Sequence, residues 1–151
     1  ISDEEDIGYP EIYWRLVRPQ PYNDIGPLHA DAWYWELGHG CMPEGYHRVK
    51  FWFSLWNEKG RNGFRFVSGS HQRSFEYKSE TRDGILKPVF DEHKHDLEIS
   101  IFQSDPGDFI IFNDQLLHGG LYGGKETRVS FEFCLFLPVS YVEDELCFGG
   151  I

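Results

Sequence analysis

The segment VKFWFSLW at residues 49–56 alternates between two kinds of side chain. One set is uniformly apolar, whereas the other consists of Lys50, Trp52, Ser54 and Trp56. Side chains of a β-strand point alternately to opposite faces, so this period of two predicts a strand rather than a helix. The second set places aromatic beside polar groups, which is typical of a strand that lines a ligand-containing barrel.

Similar short segments recur along the chain between turns rich in glycine and proline. They occupy residues 11–18, 64–67, 97–102, 109–112, 116–122 and 127–137. With a segment near residue 30 they make about eight strands, and no long helical pattern interrupts them. The sequence therefore predicts one all-β domain over residues 1–151, a double-stranded β-helix, or cupin-like jelly-roll barrel.

His29 and Asp31 stand two positions apart within the sequence LHADAWYW. If residues 28–35 form a strand, both side chains lie on one face and reach the same point. A second imidazole from elsewhere would complete the 2-His-1-carboxylate triad, which binds Fe(II) and leaves other coordination positions open. Trp33 and Trp35 would then either wall the pocket beside the metal or fill the core, and both interpretations stay open.

Four further motifs follow in order along the chain. They are VSGSH at residues 67–71, PGD at 106–108, HGG at 118–120 and RVS at 128–130. With His29-x-Asp31 in front, this series resembles the Fe(II)- and 2-oxoglutarate-dependent oxygenases of the phytanoyl-CoA dioxygenase (PhyH-like) family, from Tyr13 to Leu137. The resemblance implies the jelly-roll fold and a metal site made of His29, Asp31 and His118. Relatives usually have helices before the barrel, and in a sequence that begins at Ile1 we expect them to be missing.

The same resemblance implies a cosubstrate and a reaction. 2-Oxoglutarate would bind through Arg128, with Ser130 and Trp35 as further contacts, because arginine offers a carboxylate a rigid two-pronged donor. Fe(II), 2-oxoglutarate and O2 would then hydroxylate a small-molecule substrate. Related halogenases have a small residue at the position of Asp31, so a carboxylate there favours a hydroxylase. Gly120 departs from the family, which often has serine or threonine two residues after the distal histidine. A surface pair of Arg128 with Glu132 is the structural alternative for this arginine.

The other histidines and one long segment have weaker assignments. His39 and His47 are expected at the surface rather than in the site, and His71 is expected not to be a ligand. Residues 75–96 are highly charged without clear periodicity, which predicts a long loop that is either a lid over the pocket or a solvated excursion. The roles of His93 and His95 in this loop stay undetermined.

The charge and the cysteine content restrict the possible binding partners and the cellular compartment. The formal net charge is −11, which argues against nucleic acid and membrane partners and leaves a small-molecule substrate. Three cysteines make a poor disulfide framework, so a reducing, cytoplasmic location is expected. The oligomeric state and the substrate's identity are not predicted.

Two other functions remain open at this point. One is a cupin-type metalloenzyme that uses the same three ligands without 2-oxoglutarate. The other is a non-catalytic jelly-roll module whose aromatic residues bind a ligand. The second predicts that His29, Asp31 and His118 do not converge.

Overall fold

The computed structural model describes residues 1–3, 10–22 and 24–140 of the 151-residue chain. The elements in this part are β1 (Tyr13–Val17), α1 (Asp31–Glu36), β2 (Tyr46–Trp56), β3 (Phe64–Val67), β4 (Lys78–Arg82), β5 (Ile85–Val89), β6 (Ile99–Phe102), β7 (Phe109–Asn113), β8 (His118–Gly120) and β9 (Arg128–Pro138). Two 3₁₀ turns, Ser70–Gln72 and Glu92–Lys94, complete them. No helix among these residues is long and apolar enough to span a membrane.

The strands form two sheets and a separate hairpin. β2 and β9 pair antiparallel at the centre of a four-stranded sheet with the order β1-β9-β2-β7. A second sheet has the order β6-β3-β8, and β4 pairs with β5. Trp52, Phe64, Phe112 and Leu116 form a buried cluster between the two sheets. The predicted all-β jelly-roll fold is confirmed.

The inner face of β2 is the one that the alternating sequence predicts, with one exception. Lys50, Trp52 and Ser54 are only 3%, 2% and 0% exposed. The expectation that Trp56 shares this face is wrong, because β2 shifts its register against β9 between Ser54 and Trp56. Such an irregularity reverses the alternation, and the Trp56 indole is 54% exposed.

The outer face of the same sheet carries a ladder of phenylalanines. Phe51 stacks on Phe133 with ring centroids 5.0 Å apart, and Phe53 stacks on Phe131 at 4.8 Å. Cross-strand aromatic pairs of this kind stabilise antiparallel pairing. The ladder therefore supports the β2–β9 pairing from the side opposite to the barrel interior.

The strand predicted over residues 28–35 is not formed. His29 makes an isolated bridge to His118, and α1 begins at Asp31. The helix turns Trp33 into a core cluster with Val67 and Phe90, a burial that a strand in this place would not provide. The sequence contained a signal for the end of this helix, the glycine at position 38. Gly38 follows the helix with φ +90°, a conformation that glycine adopts without strain at helix ends.

The prediction of a long loop over residues 75–96 is also wrong. The segment instead contains the β4–β5 hairpin followed by the turn at Glu92–Lys94. Asp83 and Gly84 connect the strands with φ values of 55° and 78°, which are typical of the two-residue turn that Asp-Gly favours. This dipeptide was the local signal, and the many charged residues around it masked the short strands.

Candidate metal centre

His29, Asp31 and His118 converge at one point inside the barrel. The backbones of His29 and His118 exchange two hydrogen bonds of 2.9 Å, while α1 begins with Asp31 directly beside them. His29 Nε2 lies 3.8 Å from Asp31 Oδ1, and His118 Nε2 lies 3.8 Å from Asp31 Oδ2. Two ligand atoms at about 2.1 Å from one metal ion are up to about 4.2 Å apart. The spacing therefore leaves room for an ion between the three side chains.

Both imidazole rings are oriented by backbone carbonyl groups. Nδ1 of His29 lies 3.1 Å from the carbonyl oxygen of Pro27, and Nδ1 of His118 lies 2.9 Å from that of Leu116. Each Nδ1–H donates to its carbonyl, which leaves the lone pair of Nε2 directed at the centre. Burial lowers the pKa of His118 to about 4, so this ring is neutral at pH 7, as metal binding requires.

The Asp31 carboxyl group is ionised although its Oδ2 is buried. Desolvation raises its pKa, but the Lys50 ammonium group, together with the two imidazoles when they are protonated, outweighs this effect and holds the pKa well below its usual value. Lys50 Nζ lies 3.5 Å from Oδ2, yet no described group donates a hydrogen bond to this buried oxygen. An unsatisfied buried carboxylate is costly, and a divalent cation would satisfy it. The residues present fit a metal ion.

Arg128 is a buried cation in the same cavity. It is 4% exposed, and its Nη1 donates a hydrogen bond of 2.5 Å to the Gly63 carbonyl. Its Nε and the Oγ of Ser130 are buried without a hydrogen-bond partner in the described part of the chain. Burial lowers the pKa of Arg128 to about 10, which still keeps the guanidinium charged at neutral pH.

The predicted alternative, a surface pair of Arg128 with Glu132, is not formed. Glu132 accepts a 2.5 Å hydrogen bond from Arg15 instead. No described carboxylate lies within ion-pair distance of the Arg128 guanidinium. Two donor atoms, Nε of Arg128 and Oγ of Ser130, thus lack an acceptor among the described residues, an arrangement suited to a carboxylate ligand.

The tryptophans near the site divide between core and cavity. Trp33 belongs to the core cluster, whereas Trp35 lines the cavity and packs 3.7 Å from the Arg48 guanidinium carbon. Trp52 is the indole beside Arg128, with its ring centroid 5.8 Å from the guanidinium carbon. Trp52 is thus an indole beside the candidate carboxylate site that sequence reasoning did not assign to 2-oxoglutarate, and the contact predicted for Trp35 stays a prediction.

Gly120 has a packing reason for its departure from the family pattern. A Cβ atom at this position would lie 2.8 Å from Cγ2 of Ile25 and 3.5 Å from Nη1 of Arg128. Contacts below about 3 Å are repulsive for carbon atoms. Glycine therefore lets Arg128 and Ile25 approach β8 closely.

Several cavity residues were missed or misplaced by sequence reasoning. His39 is not among the three clustered ligands, but it lines the cavity, and its Nε2 lies 2.5 Å from the Leu86 carbonyl oxygen of the hairpin. Lys50 had been assigned only to an inward face. His71 lies in the turn Ser70–Gln72, and His95 stacks on Phe90 at 4.8 Å. Neither belongs to the described metal cluster.

The fold and the site define a class: a jelly-roll protein with a candidate mononuclear metal centre of two histidines and one aspartate. The sequence profile of the phytanoyl-CoA dioxygenase (PhyH) family matches residues 10–122. The chain therefore belongs to the phytanoyl-CoA dioxygenase family. No curated protein sequence is significantly similar to it.

Solved structures share the fold at low sequence identity. EvdMO1 superposes with a TM-score of 0.54 and 16% identity over 85% of this chain, which is 27% of the EvdMO1 chain. AviO1 from Streptomyces viridochromogenes Tue57 has a TM-score of 0.50 and 13% identity over 82% of this chain and 47% of its own. This chain thus spans less than half the length of either protein.

Proposed function

We propose that this protein is an Fe(II)- and 2-oxoglutarate-dependent dioxygenase that hydroxylates a small-molecule substrate. His29, Asp31 and His118 hold the iron, and Arg128 with Ser130 holds the far carboxylate of 2-oxoglutarate. The family membership supports the oxygenase class, and the cluster of three ligand side chains supports the metal. The cosubstrate and the type of oxidation are the parts that need experiment.

The observation that carries the 2-oxoglutarate assignment is the state of Arg128. A charged guanidinium that is 4% exposed and has no described carboxylate partner is expensive to bury. An anionic ligand that enters the cavity with its carboxylate at Nε of Arg128 and Oγ of Ser130 supplies the missing acceptor. 2-Oxoglutarate is a dicarboxylate and can reach the metal with its other end.

Each residue of the centre then has a definite task. When bound, Fe(II) supplies oxygen activation: one atom of O2 enters the substrate and the other enters succinate, with release of CO2 from 2-oxoglutarate. Asp31 provides the only negative charge among the three ligands, and Pro27 and Leu116 keep the imidazoles in the metal-binding tautomer. A carboxylate at position 31 occupies the coordination place that a halide takes in related halogenases, so we assign hydroxylation.

The β4–β5 hairpin has the position of a lid. Its residues from Gly84 to Pro88 line the cavity, and His39 holds it at the Leu86 carbonyl. Closure by this hairpin would exclude water from the metal during reaction. The lid that the sequence predicted as a loop over residues 75–96 is thus proposed to be the β4–β5 hairpin.

Anaerobic titration tests the cosubstrate directly. Purified protein loaded with Fe(II) without oxygen should develop a weak visible charge-transfer band when 2-oxoglutarate is added, because the keto acid chelates the metal. Arg128→Ala should lose this band at the same ligand concentration, while Arg61→Ala, at an exposed position, should keep it. After admission of air, succinate should form. Iron binding without any band would favour a cupin-type enzyme that does not use 2-oxoglutarate.

A further inference from the structure

The charges around the cavity are opposite in sign to those of the chain. The whole chain has 14 Lys and Arg against 25 Asp and Glu. Among the residues that the structure describes, the cavity is lined by six basic and three acidic side chains, namely Arg15, Arg48, Lys50, Arg82, Lys87 and Arg128 against Asp24, Asp31 and Glu132. A basic cleft in an acidic protein concentrates anions.

Three of the six cations already have an acidic partner. The pairs are Arg15 with Glu132 at 2.5 Å, Arg48 with Asp114 at 3.2 Å and Lys50 with Asp31 at 3.5 Å. A fourth, Arg128, is assigned above to 2-oxoglutarate. Arg82 and Lys87 are left, and both belong to the β4–β5 hairpin.

These two cations lie on the same face of the hairpin. Glu80 pairs across the strands with Lys87, and Arg82 pairs with Ile85, so the side chains of positions 78, 80, 82, 85 and 87 share one side of the hairpin, and that of Leu86 lies on the other. Arg82 contacts Glu80 at 2.9 Å, but both side chains are 52% exposed, and exposed pairs contribute little. Lys87 is half-buried and has no ion pair among the described residues. The face has a net positive charge, and Arg82 and Lys87 both line the cavity.

The hairpin packs against α1 in this structure, which places the charge beside the cavity. Tyr77 donates a 2.7 Å hydrogen bond to Glu36, and its ring stacks on Trp33 with centroids 4.6 Å apart. His39 contacts the Leu86 carbonyl nearer the turn. Ile85 and Leu86, 47% and 37% exposed, add apolar surface to the same cavity lining.

We infer that Arg82 and Lys87 bind an anionic group of the substrate, a carboxylate or a phosphate, whose apolar part packs on Ile85, which shares their face of the hairpin. The inference rests on the proposed function, because it takes the cavity to be the oxygenase site. The cavity volume of about 850 Å³ lies in the upper part of the range for small-molecule sites, so 2-oxoglutarate and a substrate fit together. Two cations on a lid would also couple substrate binding to closure.

Charge-matched probes test this inference. Four compounds with one phenylpropyl skeleton that carry a carboxylate, a phosphate, a carboxamide or an ammonium group are titrated into protein loaded with Zn(II) and 2-oxoglutarate, and binding is measured by calorimetry. At least one anion should bind at least 10-fold more tightly than the amide and the amine. The ranking of carboxylate and phosphate identifies which anion the site prefers.

Variants locate the preference. The double variant Arg82→Gln/Lys87→Gln should lose the 10-fold preference and keep the 2-oxoglutarate affinity, while Lys78→Gln, an exposed position on the same hairpin outside the cavity lining, should leave both unchanged. Equal binding of all four compounds, binding of neither anion, or an undiminished preference in the double variant overturns the inference. If the wild-type protein does not bind 2-oxoglutarate, this result would instead contradict the proposed function.

Discussion

Arg65 and Glu92 form a two-pronged ion pair, with contacts of 2.8 and 2.9 Å, that connects the two histidine segments of the metal centre. Glu92 also accepts a 2.8 Å hydrogen bond from the backbone N–H of Leu28, next to His29. Arg65 donates a 3.0 Å hydrogen bond to the carbonyl of Gly120, at the end of the strand that begins with His118. One pair of side chains thus fixes the separation of two ligands.

Loss of this pair should weaken metal binding. Glu92→Gln keeps the shape but removes the charge, and we expect about a 10-fold loss of metal affinity, as for other groups that orient ligands. The ligand-field spectrum of the Co(II)-loaded protein should change as well, because the ligands lose their fixed separation. Asp91→Asn, at the exposed neighbouring position with its own pair to Lys94, is the control. An unchanged spectrum and affinity for Glu92→Gln would show that the pair does not position the ligands.

Arg128→Ala should weaken the binding of 2-oxoglutarate without changing the binding of the metal. Removing one member of a buried charged contact costs about 2–5 kcal/mol, so 2-oxoglutarate should bind at least 10-fold more weakly. Metal affinity should stay the same, because Arg128 is not a ligand. Arg128→Lys should recover little, since lysine lacks the two-pronged geometry. An unchanged dissociation constant in a variant with an intact circular dichroism spectrum would remove the main support for 2-oxoglutarate.

Asp31→Ala, in contrast, should weaken the binding of the metal itself. It removes the only anionic ligand, and we expect the affinity for Fe(II) or its substitute Zn(II) to fall by more than about 100-fold, beyond the effect of losing an orienting group. Calorimetric titration of metal into the metal-free protein measures this. Asp114→Asn, which changes a neighbouring carboxylate that pairs with Arg48, should retain most of the affinity. Similar losses in both variants would mean that general charge, not coordination, holds the metal.

The metal-free protein should lose stability as the pH falls from about 6.5 to about 4. The pKa of His118 is lowered to about 4 in the folded protein by burial, whereas an unfolded chain binds this proton near pH 6.5. Between these values the unfolded state holds more protons, so acidification favours it. Urea unfolding at pH 7 and pH 5 should show a smaller difference for His118→Asn than for wild type. His47→Asn, at an exposed histidine, should behave like wild type.

Gly120→Ser restores the residue type that relatives often have, yet it should be harmful in this chain. Its Cβ would lie 2.8 Å from Ile25 Cγ2, and overpacking of this kind costs about 1–3 kcal/mol of stability. Displacement of the nearby Arg128 should also weaken 2-oxoglutarate binding. Adding Ile25→Ala should relieve the collision and recover the affinity. If Gly120→Ser binds 2-oxoglutarate as well as wild type does, the close contact of Ile25 and Arg128 with Gly120 is not needed for cosubstrate binding.

Much of the fold was readable from local patterns. The period of two predicted the strands β2 and β9, and for β2 also the inward face up to Ser54, because such a pattern depends only on neighbours in the chain. The order of the motifs around His29, Asp31, His118 and Arg128 predicted the family. The exceptions are also local: an Asp83-Gly84 turn and Gly38 were signals that charged and aromatic neighbours concealed.

The sequence by itself determined which residues could bind a metal and a carboxylate, since these depend on residue type and order. Only the tertiary structure decided how they meet. His29 and Asp31 converge with His118 through a backbone bridge and the start of a helix, not through strand alternation. Long-range contacts also buried Arg128 away from every described carboxylate and placed Arg82 and Lys87 at the cavity. Such pairings join residues that are far apart in the chain, and no local pattern encodes the distance between them.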